Sequence, residues 1–126
     1  MSGKIVHFEI PYDDGDRARE FYREAFGWNL QAWGEGEEEY TMVMTGPVGD
    51  QGPTEPGFIN GGMMRREGPY TGPVVVVDVE NIDDALANVE KLGGTIVSSR
   101  QPVGEMGWSA YFRDPEGNLM GLWQTA

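Results

Sequence analysis

The strongest constraint on the fold is an internal repeat. When the second half of the chain is aligned on the first with a shift of 67 positions, the separation of His7 and Val74, the same succession of patterns appears twice. Each copy begins with a segment rich in β-branched or aromatic residues, continues with apolar residues at helical spacing and stops at a glycine. Two equivalent supersecondary units are the simplest explanation.

The first copy predicts a strand followed by an amphipathic helix. Residues 4–10 are typical of a strand, which we expect Pro11 to end. Asp13 and Asp14 can cap the helix that follows, and Gly27 can end it in the left-handed conformation. The apolar face of this helix has offsets of 0, 3, 4, 7 and 8: Ala18, Phe21, Tyr22, Ala25 and Phe26.

The second copy repeats this order. Residues 74–79 predict a buried strand, and Asn81 with Asp84 three positions later resembles a capping box. Gly93 supplies the stop. The apolar face of the second helix has offsets of 0, 3, 4, 7 and 10: Ile82, Ala85, Leu86, Val89 and Leu92.

Three further strands follow each helix, separated by segments with turn chemistry. We therefore predict a single α+β domain of two βαβββ modules, at about residues 1–66 and 67–126. Residues 46–57 are too polar and glycine-rich for a regular element and are expected to form a mobile loop, either a lid or, as we favour, a connector. The strand segments are 28–33, 39–45, 58–65, 95–102, 108–113 and 118–124, and the other turns are 34–36, 104–107 and 114–117.

Composition excludes several classes of function. The chain of 126 residues has no cysteine, which excludes disulfides, thiolate nucleophiles and cysteine-ligated metal sites. Its net charge of −12 would repel nucleic acid and an anionic membrane surface, so neither is an expected partner. No secretory or membrane-spanning segment is recognisable, and we expect a cytoplasmic protein.

Three segments, in this order and at this spacing, resemble the vicinal oxygen chelate superfamily of glyoxalases, extradiol dioxygenases, fosfomycin-resistance enzymes and bleomycin-binding proteins. The resemblance covers nearly the whole chain and implies eight strands in a curled, cup-shaped mixed sheet with the helices outside. It also implies a homodimer. The segments are HFEIPYDDGDRAREFYREAFGW at 7–28, VVVVDVENIDDALANVEKLGG at 74–94 and YFRDPEGNLMGLWQ at 111–124.

The resemblance also specifies where a metal would bind. Metal enzymes of the superfamily place a ligand on the first and last strand of each module, typically two His or Gln and two Glu. Here His7 occupies the first position, Val74 the third and Gln124 the fourth, and residues 58–65 offer no carboxylate for the second. Because an imidazole and a carboxamide lack anionic oxygens, we predict no metal cofactor, although Glu9 on the same strand face could supply one carboxylate.

The candidate ligand-binding residues combine a few polar groups with aromatic and methionine side chains. The only histidine, His7, is a core residue or a binding group, and either face of residues 39–45 could line the cup. A hairpin around residues 114–117 would pair Tyr111 with Met120 and turn both inward with Gln124. We predict a ligand site of His7, Glu9, Tyr40, Met42, Met44, Tyr111, Met120 and Gln124.

Two main hypotheses follow. The preferred one is a metal-independent protein that binds or sequesters a small, partly aromatic molecule, as bleomycin-resistance members of the superfamily do in antibiotic resistance. The alternative is a divalent-metal-dependent lyase, isomerase or dioxygenase whose site uses His7, Glu9 and Gln124. A third possibility, a component of a larger assembly with no ligand of its own, stays open.

Overall fold

The structure, a computed structural model, describes residues 3–34 and 39–126. Residues 35 and 36 of the predicted turn at 34–36 lie outside this part. The predicted α+β class and the strand and helix order of each repeat are confirmed. The elements are β1 (Ile5–Tyr12), α1 (Gly15–Phe26), β2 (Asn29–Trp33), β3 (Tyr40–Met44), β4 (Val48–Gly49), β5 (Gly52–Pro53), β6 (Gly61–Arg65), β7 (Val74–Asp78), α2 (Ile82–Lys91), β8 (Thr95–Val103), β9 (Gly107–Arg113) and β10 (Leu119–Thr125).

The chain divides into two compact units. The first module, residues 7–73, has the strand order β2-β3-β6-β1, in which β1 and β6 are parallel and the other neighbours antiparallel. The second module, residues 74–126 with the described residues 3–6, has the order β7-β10-β9-β8, in which β7 and β10 are parallel. The parallel pair in each module requires a crossover, which the helix supplies.

Both helices begin and end as the sequence predicts. The Asp14 side chain accepts a hydrogen bond from the Arg17 amide, and Gly27 ends α1 at φ +72°. The Asn81 side chain accepts from the Asp84 amide at the start of α2, and α2 ends at Leu92 before the positive-φ Gly93. These caps satisfy amides that have no partner within the helix.

Each module has its own helix-facing core. In the first module the buried residues come from alternate positions of four strands, and in the second α2 contributes two of the four. The first core consists of Tyr12, Leu30, Val43 and Met63, and the second of Ile82, Leu86, Ala110 and Leu122.

Two local expectations were wrong. Strand β1 does not stop at Pro11, which lies opposite Met64, but continues to Tyr12, because the fixed φ of proline is compatible with an extended backbone. Residues 46–57 are not wholly irregular, since β4 and β5 form a short antiparallel hairpin with Val48 opposite Pro53.

The predicted register of β9 and β10 was wrong by one residue. Tyr111 lies opposite Gly121 rather than Met120, and Trp108 lies opposite Gln124. The reason is the turn, in which the Asp114 carboxylate accepts hydrogen bonds from the amides of Glu116 and Asn118 and draws Asn118 into the loop. A one-residue shift exchanges the faces of a strand, so Met120 and Gln124 lie on the α2 side.

Gln124 has a structural partner there. Its carboxamide oxygen accepts a 2.8 Å hydrogen bond from the amide of Ile82, the first residue of α2. That amide has no acceptor within the helix, and the Ile82 residue is fully buried. Gln124 thus joins β10 to the start of α2.

Neither of the two helices in the described part of the chain has the length and apolar character needed to cross a bilayer.

Replacing Gln124 by Met keeps the side-chain length but leaves the buried Ile82 amide without its acceptor. We expect the free energy of unfolding to fall by about 1–3 kcal/mol, measured by urea denaturation. Gln101→Met on the exposed part of β8 is the control and should change it little. Equal effects of the two substitutions would contradict this role of Gln124.

Candidate functional site

One face of the first-module sheet, opposite α1, carries the candidate polar residues. Successive side chains of a strand alternate between faces, and Phe8, Ile10 and Tyr12 of β1 pack in the core beneath α1. His7 and Glu9 therefore lie on the other face. Glu9 is only 7% exposed, an unusual burial for a carboxylate that requires hydrogen-bond partners.

Strand β3 adds its alternate residues to this face. Thr41 and Val43 are fully buried on the α1 side, so Tyr40, Met42 and Met44 lie with Glu9. The register agrees, because Gly62 of β6 lies opposite both Glu9 and Met42. Five predicted site residues thus share one face, which we call the His7 face: His7, Glu9, Tyr40, Met42 and Met44.

The Tyr40 hydroxyl connects His7 to Glu9. It donates a 3.0 Å hydrogen bond to Glu9 Oε2 and lies 3.1 Å from His7 Nε2. Because the hydroxyl proton goes to the carboxylate, the His7 contact requires a proton on Nε2, which donates to the Tyr40 oxygen. The three side chains form one continuous hydrogen-bonded chain.

Burial and the Glu9 charge set the protonation of this chain. Burial lowers the pKa of His7 below 6.5, and the Glu9 charge opposes that shift. Burial, followed by the charge and hydrogen bond of Glu9, raises the pKa of Tyr40 far above 10. Near neutral pH, Tyr40 therefore stays a neutral donor and His7 is mostly an uncharged imidazole.

Gly62 provides the space that Tyr40 occupies. A Cβ atom at position 62 would collide with the Tyr40 hydroxyl and ring carbons, so the ring lies directly across the bare backbone of β6. Next to this strand, Asn60 accepts a hydrogen bond from the Thr45 amide and fixes the end of β3. The position of the hydroxyl therefore depends on a glycine in the neighbouring strand.

The three predicted residues of the second module are placed differently. Tyr111 lies on the face opposite α2, where its ring is within 3.3 Å of a Cβ atom built at Gly121. Met120 and Gln124 lie on the α2 side, with the Gln124 oxygen bound to Ile82. The structure therefore does not bring Tyr111 together with the other two.

The residues present do not fit the metal site of the superfamily. Val74 has no donor atom, the Gln124 oxygen is engaged at the start of α2, and the Tyr40 hydroxyl lies between His7 and Glu9. Within residues 3–34 and 39–126, no three His, Cys, Asp or Glu side chains form a group that could hold a metal ion.

Sequence reasoning missed two contributors to this face, Met64 and Gly62. Met64 lies opposite Tyr40 in the register, and Gly62 leaves room for its ring. Tyr70 lies within the electrostatic reach of Glu9, since burial and then the Glu9 charge raise its pKa. The paired glycines at 61 and 62 were the available signal, because glycine inside a strand often marks a close approach.

Comparisons with known proteins agree with the fold. Residues 4–46 match the family model of the bleomycin resistance protein-like N-terminal domain. A glyoxylase-like domain-containing protein of Didymella fabae is 30% identical over 127 residues, covering 97% of this chain and 94% of that protein. The chain belongs to the glyoxalase-like proteins of the vicinal oxygen chelate superfamily.

Solved structures share the fold of this glyoxalase-like chain. A variant of Streptomyces coelicolor methylmalonyl-CoA epimerase in complex with 2-nitronate-propionyl-CoA has a TM-score of 0.71 at 17% identity, covering 100% of this chain and 99% of that one. A hypothetical protein from Bacillus halodurans has a TM-score of 0.72 at 14% identity, covering 100% and 96%. At these identities the likeness concerns the fold alone.

The single histidine allows a direct test of the electrostatics. Because the Glu9 charge raises the pKa of His7, Glu9→Gln should lower that pKa further, as measured by NMR titration of the one imidazole signal. The pKa of His7 is lower in the folded protein than in the unfolded chain, where it is 6.5. Between these two pKa values the unfolded chain binds more protons at His7, so the free energy of unfolding of the native protein should rise with pH in this range. A higher His7 pKa in Glu9→Gln would contradict the proximity of the two groups.

Gly62→Ala should displace the Tyr40 ring. Its methyl group would occupy the position of the hydroxyl, so we expect a loss of about 1–3 kcal/mol in the free energy of unfolding and a changed His7 NMR signal. Gly72→Ala is the control, because a Cβ atom there meets nothing within 4 Å. An unchanged His7 signal in Gly62→Ala would show that Tyr40 lies elsewhere.

Proposed function

We propose that this glyoxalase-like protein binds a small, partly aromatic organic molecule on the His7 face without a metal ion. The observation that carries the proposal is the position of the Tyr40 hydroxyl, 3.1 Å from His7 Nε2 and 3.0 Å from Glu9 Oε2. A group of this chain itself takes the place between imidazole and carboxylate where a cation would bridge them.

The distances argue for a hydrogen-bonded site. Nitrogen and carboxylate ligands approach a zinc ion to about 2.0–2.2 Å, so a cation between His7 and Glu9 would have to displace the Tyr40 hydroxyl. The raised pKa of Tyr40 makes its phenolate an unfavourable replacement ligand. Two ligands from one strand then remain, too few to offset the dehydration of a divalent ion.

The surroundings suit an organic ligand. Met42, Met44 and Met64 are half-buried, and their unbranched, polarizable side chains adapt to irregular or planar shapes. The Tyr40 ring adds a flat surface, and His7 and Glu9 supply the few polar contacts that orient a ligand. The match of residues 4–46 to the bleomycin resistance protein-like family model supports antibiotics as one class of ligand and antibiotic sequestration as the role. We infer a homodimer from the superfamily resemblance, and a cytoplasmic location stays a prediction.

Methionine methyl NMR tests this proposal with internal controls. Protein labelled at the methionine methyl groups is titrated with bleomycin and with a panel of small aromatic metabolites, in the presence and absence of EDTA. We expect saturable shifts of the Met42, Met44 and Met64 signals that EDTA does not alter. Fully buried Met63 on the α1 side and exposed Met106 should not respond to a ligand of the His7 face.

Site variants and metal analysis distinguish metal-independent binding from the alternatives. Tyr40→Phe should weaken binding by about tenfold, as expected for the loss of an oriented hydrogen bond in a buried site. Tyr22→Phe, on the α1 side, is the matched control. Stoichiometric metal in protein purified without chelators, lost on His7→Ala, would refute metal-independent binding, and an absence of any ligand-induced shift would refute binding.

The hydrogen-bonded chain favours a second candidate, a metal-free isomerase. The buried Glu9 carboxylate can accept a proton from a carbon acid. The Tyr40 hydroxyl no longer has to donate to Glu9 once Glu9 is protonated, and it can then donate to the developing oxyanion while His7 supports it. The fold shared with an epimerase of CoA thioesters makes methylmalonyl-CoA a suitable test compound. Incorporation of solvent deuterium into it, lost in Glu9→Gln, would establish catalysis, and no incorporation would leave binding as the function.

A further inference from the structure

A cavity lies on the other side of the first-module sheet, beneath the N-terminal half of α1. Its volume is about 350 Å³, within the range of small-ligand sites. Its walls are apolar and aromatic on both sides, formed by Ile10, Tyr12 and Met63 from the strands and by Ala18, Phe21 and Tyr22 from the helix. Met63 and Tyr12 are buried core residues that form the floor of the cavity, which is open to solvent beside Phe21.

The two repeats attach their helices to the sheet differently. In α2, Ile82 and Leu86 pack against the sheet and are almost completely buried, whereas α1 has no buried residue. The 67-residue shift places Gly15 and Arg19 at the corresponding positions of α1. Gly15 has no side chain, and the largely buried Arg19 guanidinium pairs with Glu39 and Asp16, so polar contacts attach α1 where apolar contacts attach α2. The cavity lies beside this polar attachment.

The apolar surface of α1 also extends beyond what its core requires. Phe21 is 58% exposed and lines the cavity, and Phe26 is 64% exposed one turn further on. The residue of α2 that corresponds to Phe21 is Asn88, an ordinary polar residue on a solvent face. The ring of Phe21 at the mouth of the cavity, where the other repeat has an amide, offers a flat apolar surface to a ligand.

One guanidinium group at the cavity is free to contact an anionic group. Asp13 is neutralised by an ion pair with Arg66 at 3.1 Å, and the Asp14 carboxylate accepts from the Arg17 amide. Arg17 also lines the cavity, and its guanidinium has no ion pair with any described residue. An unpaired guanidinium presents a planar set of donors that matches a carboxylate.

We propose that this cavity binds a small aromatic carboxylate, with its ring against Phe21 and Tyr22, above the buried Met63, and its carboxylate on Arg17. The site is separate from the His7 face, since β1 presents alternate side chains to the two. Binding here therefore neither requires nor excludes the function proposed above.

Two natural reporters monitor the cavity. Met63 lines it directly, so its methyl NMR signal should respond to an occupant. Tyr22, also in the wall, stacks on Trp28 with ring centroids 4.8 Å apart and an interplanar angle of 6°, so the indole N–H NMR signal of Trp28 should respond as well. The Met42, Met44 and Met64 signals report on the opposite face of the sheet.

Titration of the whole chain with 2-naphthoate tests the proposal, and 2-naphthalenemethanol serves as the neutral analogue. We expect a saturable shift of the Met63 signal by naphthoate and affinity for the neutral analogue lower by about three- to tenfold, the usual value of a charge-assisted contact. Phe21→Ala should weaken naphthoate binding by about tenfold, and Arg17→Gln should weaken it as much as loss of the carboxylate does.

Matched variants keep the test specific. Phe26→Ala removes an equally exposed ring that does not line the cavity, and Lys91→Gln removes one positive charge from α2, so both should bind as the native protein does. Melting temperatures verify that each variant is folded. Equal effects of Phe21→Ala and Phe26→Ala, no saturable Met63 shift, or shifts confined to Met42, Met44 and Met64 would each overturn the proposed site. Equal affinity for the neutral analogue would overturn the assignment of an aromatic carboxylate.

Discussion

The alternation of side chains along β1 is the constraint on which the first module depends. A strand turns successive residues to opposite faces, so the apolar side chains of Phe8, Ile10 and Tyr12 all lie on the face that α1 covers. His7 and Glu9 are thereby held on the other face at fixed spacing. A shift of one position would bury both polar groups under the helix and expose the core, so the hydrophobic packing itself fixes the orientation of the site.

Burying Glu9 on this face requires compensation. A carboxylate removed from water without partners is strongly destabilising, and the Tyr40 hydroxyl supplies a directed hydrogen bond. That hydroxyl reaches Glu9 only because Gly62 has no side chain. The polar chain, the glycine and the strand register therefore form one unit, in which the choice of residue on β6 controls the chemistry on β1.

Local sequence patterns predicted much of this fold because helix caps and helix ends depend on interactions between residues that are close in sequence. The caps at Asp14 and Asn81, the stop at Gly27 and the order of strands and helices follow from nearby residues. The β9–β10 register could not be predicted in this way, because the Asp114 side chain lengthens the turn by one residue. The strand period placed His7 and Glu9 on one face but left the face of Tyr40 open, because the Tyr40 hydrogen bonds depend on contacts across 31 and 33 residues of sequence.

The Gly15 and Arg19 pair has a consequence for how this helix could change over time. A methyl group at position 15 would meet the Glu39 carboxylate and the Arg19 guanidinium, so an alkyl side chain there conflicts with the ion pairs already in place. Apolar packing like that of α2 would require replacements at both positions together with a new partner, or none, for Glu39. Single substitutions pass through less stable intermediates, so neutral drift would seldom replace this polar attachment of α1.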